Sequence, residues 1–308
     1  MTAIAPRQTG RKTRKTTETP LWVPLLFLAP TLLLFVGFLV YPMVMTIGLS
    51  FFQWTGFRID TPEFVGLDNY IRIFTKDPVF WTAFRNTVIW LLLSLAVPTV
   101  LGLLLALGLN NKIPGRNLMR SLIYIPGVLA SIAVATMWVW MYNPVSGFVN
   151  NLLRTIGLGA FAQDWLGNPD TALLSIFIAS VWQGTGFGMI LFLAGLQNVP
   201  PELIDSAKVD GANRWQVFRA VTLPALRPTT VVVIVLTLIN SLKVFDLIVG
   251  MTGGGPVQST QVLALWSYTS SFTNHEFGIG NAIATVLLGV SLVLVVPYMI
   301  WTMKGEDE

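Results

Sequence analysis

The sequence predicts an all-α polytopic membrane protein of six transmembrane helices, with a cytoplasmic helix–turn–helix loop between spans four and five. Three observations carry this. Mean hydropathy is +0.68 and only 11% of the 308 residues are charged, against roughly a quarter in a soluble globular domain. Uncharged stretches run over 23–49, 86–111, 121–153, 171–201 and 277–303. Each exceeds the ~20 residues that a helix needs to cross ~30 Å of hydrocarbon. The alternating pattern of a membrane barrel is absent, which leaves helix as the state that satisfies every backbone polar group in lipid.

The elements follow in order. Residues 1–20 form a basic tail carrying Arg11, Lys12, Arg14 and Lys15. The apolar run behind it is too long for a signal peptide and ends in no small-residue cleavage site, so 21–49 is read as a retained first span. A loop with Trp54, Gly56 and Pro62 leads to span two, about 82–110, and a tight turn over 111–116 to span three, about 119–142. Span four covers about 171–195. A polar island at about 197–227 precedes span five, about 228–250, which Lys243 and Asp246 interrupt. Span six covers about 278–303, and 304–308 is a short tail. No loop is long enough for a second domain, so 21–303 reads as one membrane domain.

Basic residues orient the chain, because they concentrate on the cytoplasmic side. With the N-terminus inside, Arg7, Arg11, Lys12, Arg14, Lys15, Lys112, Arg116, Arg120, Lys208, Arg214, Arg219, Arg227 and Lys304 are cytoplasmic. Arg58, Arg72, Lys76, Arg85 and Arg154 lie outside. Both termini and the island are therefore expected in the cytoplasm. The net charge of +4 is mostly this bias and calls for no nucleic-acid partner. With no cysteine there is no thiol nucleophile, thiolate metal site or disulfide. A phosphate-cradling G-x-x-x-x-G-K-[ST] loop is missing, so ATP chemistry would belong to another chain. The single histidine, His275, falls in an outer loop, where it reads as a solvated residue.

The island is too short for a domain and too patterned for a linker. Pro201 suits a first helical turn and Glu202 the positive end of its dipole. Leu203 and Ala207 fall on one face, with Glu202, Asp205 and Lys208 exposed. Asp210-Gly211 stops the helix and Asn213 caps a second one, in which Trp215, Phe218 and Val221 or Thr222 share a face. Leu223-Pro224 ends that helix. Two readings fit the resulting hairpin: a docking element for a partner outside the membrane, or an amphipathic anchor in the lipid headgroups.

Asp205-Ser206-Ala207, three residues, Gly211, nine residues and Val221-Thr222-Leu223-Pro224 resemble the EAA-x-x-x-G-x(9)-I-x-L-P signature of the membrane subunits of binding-protein-dependent ABC importers. Asp205 and Ser206 stand where that signature has Glu and Ala. The stretches Val181-Trp182-Gln183-Gly184-Thr185-Gly186-Phe187, Leu193-Ala194-Gly195-Leu196-Gln197, Phe245-Asp246 and Met251-Thr252-Gly253-Gly254-Gly255-Pro256 are similar to the carbohydrate-uptake branch, in particular the maltose/glycerol-3-phosphate-type first permease. The likeness runs from span one to span six. It implies a permease subunit of the bacterial or archaeal inner membrane that binds no cofactor itself. ATP and magnesium would sit on a partner ATPase dimer. A second permease, an extracytoplasmic solute-binding protein and a sugar-like solute complete the implied set. In that family the loop's first helix sits in a cleft of the ATPase. Carried over, Glu202, Asp205, Ala207 and Gly211, with the Leu223 and Pro224 anchor, become the coupling residues.

Depth arithmetic locates a solute. At 1.5 Å per residue, Thr237 lies about 14 Å from Pro228, and Gln183 and Gly184 about 18 Å from Thr171, all near the bilayer midplane. Polar groups there are costly unless they find partners or line water. The glycines at 184, 186 and 188 are expected to weaken or unwind the helix, and Phe187 or Trp182 to stack on a sugar face. Close packing of small residues, with Ser and Thr bonding locally, explains the same letters. The likeness to maltose-type permeases favours a cavity around Gln183, Gly184, Phe187, Thr237 and Ser241, with Asn240, turned about 100° from Ser241, as a further candidate. Lys243 and Asp246, three apart, are expected to form a mutual salt bridge or to leave the lysine snorkelling, ahead of serving an ion pathway. Gly253-Gly254-Gly255-Pro256 is expected to form a tight turn, either re-entrant or facing a receptor. The competing class is a stand-alone ion-coupled secondary transporter. It calls for paired intramembrane carboxylates, and Asp246 is the only one within a span.

Overall fold

The structure, a computed structural model, describes residues 22–57, 61–111 and 113–304. The expected basic tail at 1–20, nearly all of the tail at 304–308, Arg58 and Lys112 lie outside the described residues. The chain divides into two compact units, the first ending at Met45 and the second beginning at Thr46.

In the first unit, α1 (Trp22–Phe35) runs through a π-helical turn, Val36–Val40, into α2 (Tyr41–Leu49), which crosses the unit boundary. The side chains described here are apolar on every side and almost all exposed, Phe27 and Phe38 most of all. A helix with no polar face belongs in lipid.

The second unit starts with a short antiparallel pair, β1 (Phe52–Gln53) and β2 (Glu63–Phe64), and α3 (Asp68–Thr75). α4 (Pro78–Asn110) begins four residues before the expected span two. Its start signal is local: the Asp77 carboxylate accepts from the backbone N–H groups of Val79 and Phe80, with proline at the first helical position. The expected span three is broken into α5 (Arg116–Val128) and α6 (Ser131–Met141), bent by 100°. Pro126 removes a ladder donor near the end of α5, and Leu129 and Ala130 are extended. After α7 (Phe148–Thr155), α8 (Ala172–Gln197) is continuous. The glycines at 184, 186 and 188 therefore do not unwind it.

Beyond α8 come α9 (Pro201–Val209), α10 (Arg214–Val217), a π-turn (Phe218–Thr222) and α11 (Leu223–Ala225). Leu223-Pro224 does not end the second helix as expected. The Leu223 N–H reaches back five residues to the Phe218 carbonyl, and the widened turn relieves the clash of the proline ring with the carbonyl four residues back. The helix ends one residue later and bends 66° into α12 (Arg227–Leu242). The expected span five is also broken. α12 stops at Leu242 and α13 (Asp246–Met251) starts afresh. A tight turn follows, with Gly253 and Gly254 at φ +60° and +93°, then α14 (Leu263–Tyr268), a π-turn (Thr269–Thr273) and α15 (Phe277–Lys304). Among the described residues four helices are long and apolar enough to cross a membrane, and six spans result if each bent pair counts as one.

Helices α4 and α8 form the spine. A Cβ on Gly102 would lie 3.0 Å from the Met189 nitrogen, so the two backbones touch where a larger residue would hold them apart. Trp90 of α4 meets Phe177 of α8 edge to face, with centroids 5.4 Å apart, and α6 and α13 cover them with Val134, Trp138 and Ile248. Toward the other end of α8, Met189, Phe192 and Leu193 pack on Leu109 of α4 and on Leu226 and Val233. Asn86 ties the turn after α13 to the spine, donating to the carbonyls of Ser259 and Gln261 at 2.7 and 2.8 Å.

Candidate functional site

The hairpin between α8 and α12 is held by two local devices. At the end of α9 the Gly211 N–H donates to the Lys208 carbonyl and the Ala212 N–H to the Ala207 carbonyl, each at 3.0 Å. With Gly211 at φ +82° this is the paired-bond glycine stop of helix C-termini. Asn213 and Gln216 then cap α10 reciprocally, at 3.0 and 2.7 Å. Glu202 lies in the first turn of α9, where a carboxylate faces the helix dipole favourably.

The hairpin faces differ from expectation. Ile204 and Ala207, not Leu203 and Ala207, are the half-buried side of α9. Val217, Thr222 and Leu226 turn inward on the second helix, while Trp215 is exposed and Phe218 half-buried beside it, rings 5.5 Å apart. Leu203, Val209, Trp215 and Leu223 are left as exposed apolar side chains on the hairpin, which also exposes Asp205 and Lys208. Those two pair at 2.9 Å, a surface contact worth little stability. Exposed apolar side chains beside charges on a short hairpin are a surface suited to a protein partner.

The second feature is a cavity of about 450 Å³, within the range of small-solute sites. Gln183, Gly184, Phe187, Thr237, Asn240 and Ser241 all line it. Two helices thus bring five polar or aromatic side chains and a glycine to one space. Their states differ. The Gln183 amide donates to the Leu129 carbonyl at 3.0 Å and toward the Ser131 hydroxyl at 3.4 Å, filling the break between α5 and α6. Ser241 is buried and donates to the Leu238 carbonyl at 3.0 Å. Thr237 and Asn240 have no hydrogen-bond partner for their side chains among the described residues, and Asn240 is exposed. A Cβ on Gly184 would meet nothing within 4 Å. Phe187 is 44% exposed. Trp182 does not line the cavity; it packs edge-on against Trp138.

Sequence reasoning missed the wall that α4 supplies. Trp90, Ser94, Pro98 and Thr99 line the cavity. The signal was Pro98: it has no N–H to offer the Ser94 carbonyl, so the helix interior is opened to a polar space. Tyr124 and Ser131 enter from the broken third span, whose break was not foreseen. Trp90 also lines a second cavity of about 300 Å³ with Arg85, Asp170 and Ser259.

Lys243 and Asp246 do not form the expected salt bridge. Two ion pairs occur among the described residues, Arg72 with Glu276 and Lys208 with Asp205. Lys243 ends α12 and Asp246 opens α13, so they no longer share the helix that brings residues three apart together. Both line the cavity, and both are exposed.

Residues 99–302 match the family model described as the binding-protein-dependent transport system inner membrane component. A probable ABC transporter permease protein of Pyrococcus horikoshii is 39% identical over 92% of this chain and 97% of its own length. The trehalose/maltose transport system permease protein MalF of Thermococcus litoralis is 35% identical over 89% and 91%. A chain of the bacterial alginate ABC transporter, solved in complex with an alginate pentasaccharide-bound periplasmic protein, superposes with TM-score 0.78 at 28% identity over 90% of this chain and 92% of that one.

Proposed function

The chain belongs to the family of binding-protein-dependent transport system inner membrane components, and from that premise we propose that it is the permease subunit through which a sugar or related polyol enters the cytoplasm, driven by ATP hydrolysed on a partner chain. The named relatives that handle trehalose, maltose and alginate support the solute class. A second permease closes the other half of the pathway, an ATPase pair docks on the hairpin, and an extracytoplasmic binding protein delivers the solute. Both termini and the hairpin face the cytoplasm of a bacterial or archaeal cell.

One observation carries the mechanism: the hairpin joins two of the helices that wall the cavity. α8 supplies Gln183, Gly184 and Phe187 and enters the hairpin at Pro201, and α12 leaves it at Arg227 to supply Thr237, Asn240 and Ser241. Any rotation imposed on the hairpin is thereby passed to both walls, because its two stops are capped and stiff. Asp205 offers charge to the ATPase, Ala207 a small surface for close approach, and Gly211 the turn. Leu223 and Pro224 anchor the return into α12.

The test is uptake of maltose and trehalose by the complete complex in proteoliposomes. Uptake is expected to need internal ATP and to persist with a protonophore. Ala207→Glu and Gly211→Pro are expected to abolish it while the four-subunit complex still assembles. Uptake that collapses with the protonophore, or that survives both substitutions, overturns the proposal.

A further inference from the structure

Among the described residues, Lys243 and Asp246 are the only charged side chains lining the 450 Å³ cavity. Neither has an ion-pair or hydrogen-bond partner among the described residues. The chain holds its own comparison: Asp205 and Lys208, the same residue types at the same separation in the opposite order, pair at 2.9 Å on the continuous helix α9. At 243–246 the helix is interrupted. Lys243 caps α12 at φ −97°, Phe245 turns the chain at φ −148°, and Asp246 starts α13. Unpaired charges within a membrane domain are costly, and a break that keeps two opposite charges apart in one cavity leaves both free for a third group.

The chemistry of that group follows from what is free. The ammonium offers donors alone and the carboxylate acceptors alone. Together they carry no net charge, so neither an acidic nor a basic solute finds its charge compensated by the pair. Adjacent hydroxyls satisfy both, one accepting from the ammonium and its neighbour donating to the carboxylate, each a charge-assisted bond. Asn240 and Thr237 add neutral polar groups, and the exposed ring of Phe187 an apolar face for the C–H side of a pyranose. We propose that Lys243 and Asp246 together read a pair of adjacent hydroxyls on a neutral sugar. This rests on the transport reading above and adds the solute's charge class and the two residues that select it.

The experiment uses the complete complex in proteoliposomes at saturating binding protein, so that selection is measured after delivery. The probes are maltose, trehalose, digalacturonate and the monodeoxy maltoses. The wild type is expected to move the neutral sugars, to exclude digalacturonate, and to reject at least one monodeoxy maltose by about tenfold or more, since a site built for a hydroxyl is left with an unpaired group when it is missing. Lys243→Met and Asp246→Asn are each expected to slow maltose uptake about tenfold and to bring that rejection below about twofold. Thermal melting of the complex reports whether the variants are folded, and Lys243→Arg, which keeps the donor and charge, is expected to retain most uptake. Recovery of uptake in the double variant Lys243→Met/Asp246→Asn means the residues serve only each other and overturns the inference. So do unchanged discrimination in the single variants, or digalacturonate uptake by the wild type. Absence of all ATP-driven sugar uptake in the wild type instead removes the transport reading itself.

Discussion

Gly184 and Gly186 stand two residues apart on one helix and do opposite things. At Gly186 a Cβ would lie 2.8 Å from the Tyr124 Cα and closer still to the Ile123 carbonyl, so α5 rests directly on α8 there. At Gly184 nothing comes within 4 Å, and the position opens on the cavity. Gly186→Ala is therefore expected to cost about 2 kcal/mol through overpacking, read as a lower melting temperature of the purified complex. Gly184→Ala should leave melting unchanged and slow uptake by narrowing the cavity. Equal melting temperatures for the two variants would contradict this division of labour. Gln183 shows why such roles are hard to assign from letters. Depth arithmetic marks it as a solute contact, yet its amide nitrogen serves the break at Leu129, a partner 54 residues away.

At the scale of elements, the turn of the hairpin is fixed by two local devices, the glycine stop at Gly211 and the reciprocal cap of Asn213 and Gln216. Asn213→Ala removes one half of the reciprocal cap and is expected to cost about 1 kcal/mol. Gly211→Ala forces a side chain into left-handed backbone at a cost of about 1 kcal/mol. Both are expected to loosen the coupling of ATP hydrolysis to uptake, measured as more ATP consumed per sugar moved, with maximal hydrolysis retained. An unchanged ratio would mean that hairpin stiffness does not matter. These devices were legible in the sequence, since Pro201, Asp210-Gly211 and Asn213 act on their own neighbours. The π-turn before Pro224 was not, because a proline in a helical stretch can either stop it or widen the turn ahead of it. The same widening precedes Pro42, where the Tyr41 N–H reaches the Val36 carbonyl.

For the whole molecule, the orientation inferred from basic residues is open to direct labelling. The chain contains no cysteine, so single cysteines can be placed without background. Val209, in the hairpin, and Val257, in the turn after α13, are 87% and 91% exposed. A membrane-impermeant maleimide is expected to modify Val257→Cys in intact cells and Val209→Cys only after permeabilisation. The reverse result would invert the topology and with it the direction of transport.

The sequence by itself determined that this chain is helical and lives in lipid, because hydrocarbon offers backbone groups no other partner and long uncharged stretches declare themselves by length. It also determined the hairpin, whose stops depend on a few adjacent residues. Only the tertiary structure decided where spans three and five break, and that α4 joins the cavity wall. It also decided that Ser241 turns its hydroxyl to its own helix while Asn240 stays free, and that Lys243 and Asp246 are parted. These outcomes depend on which backbone groups a distant helix can satisfy and how closely its glycines let it approach, and neither is written in neighbouring letters.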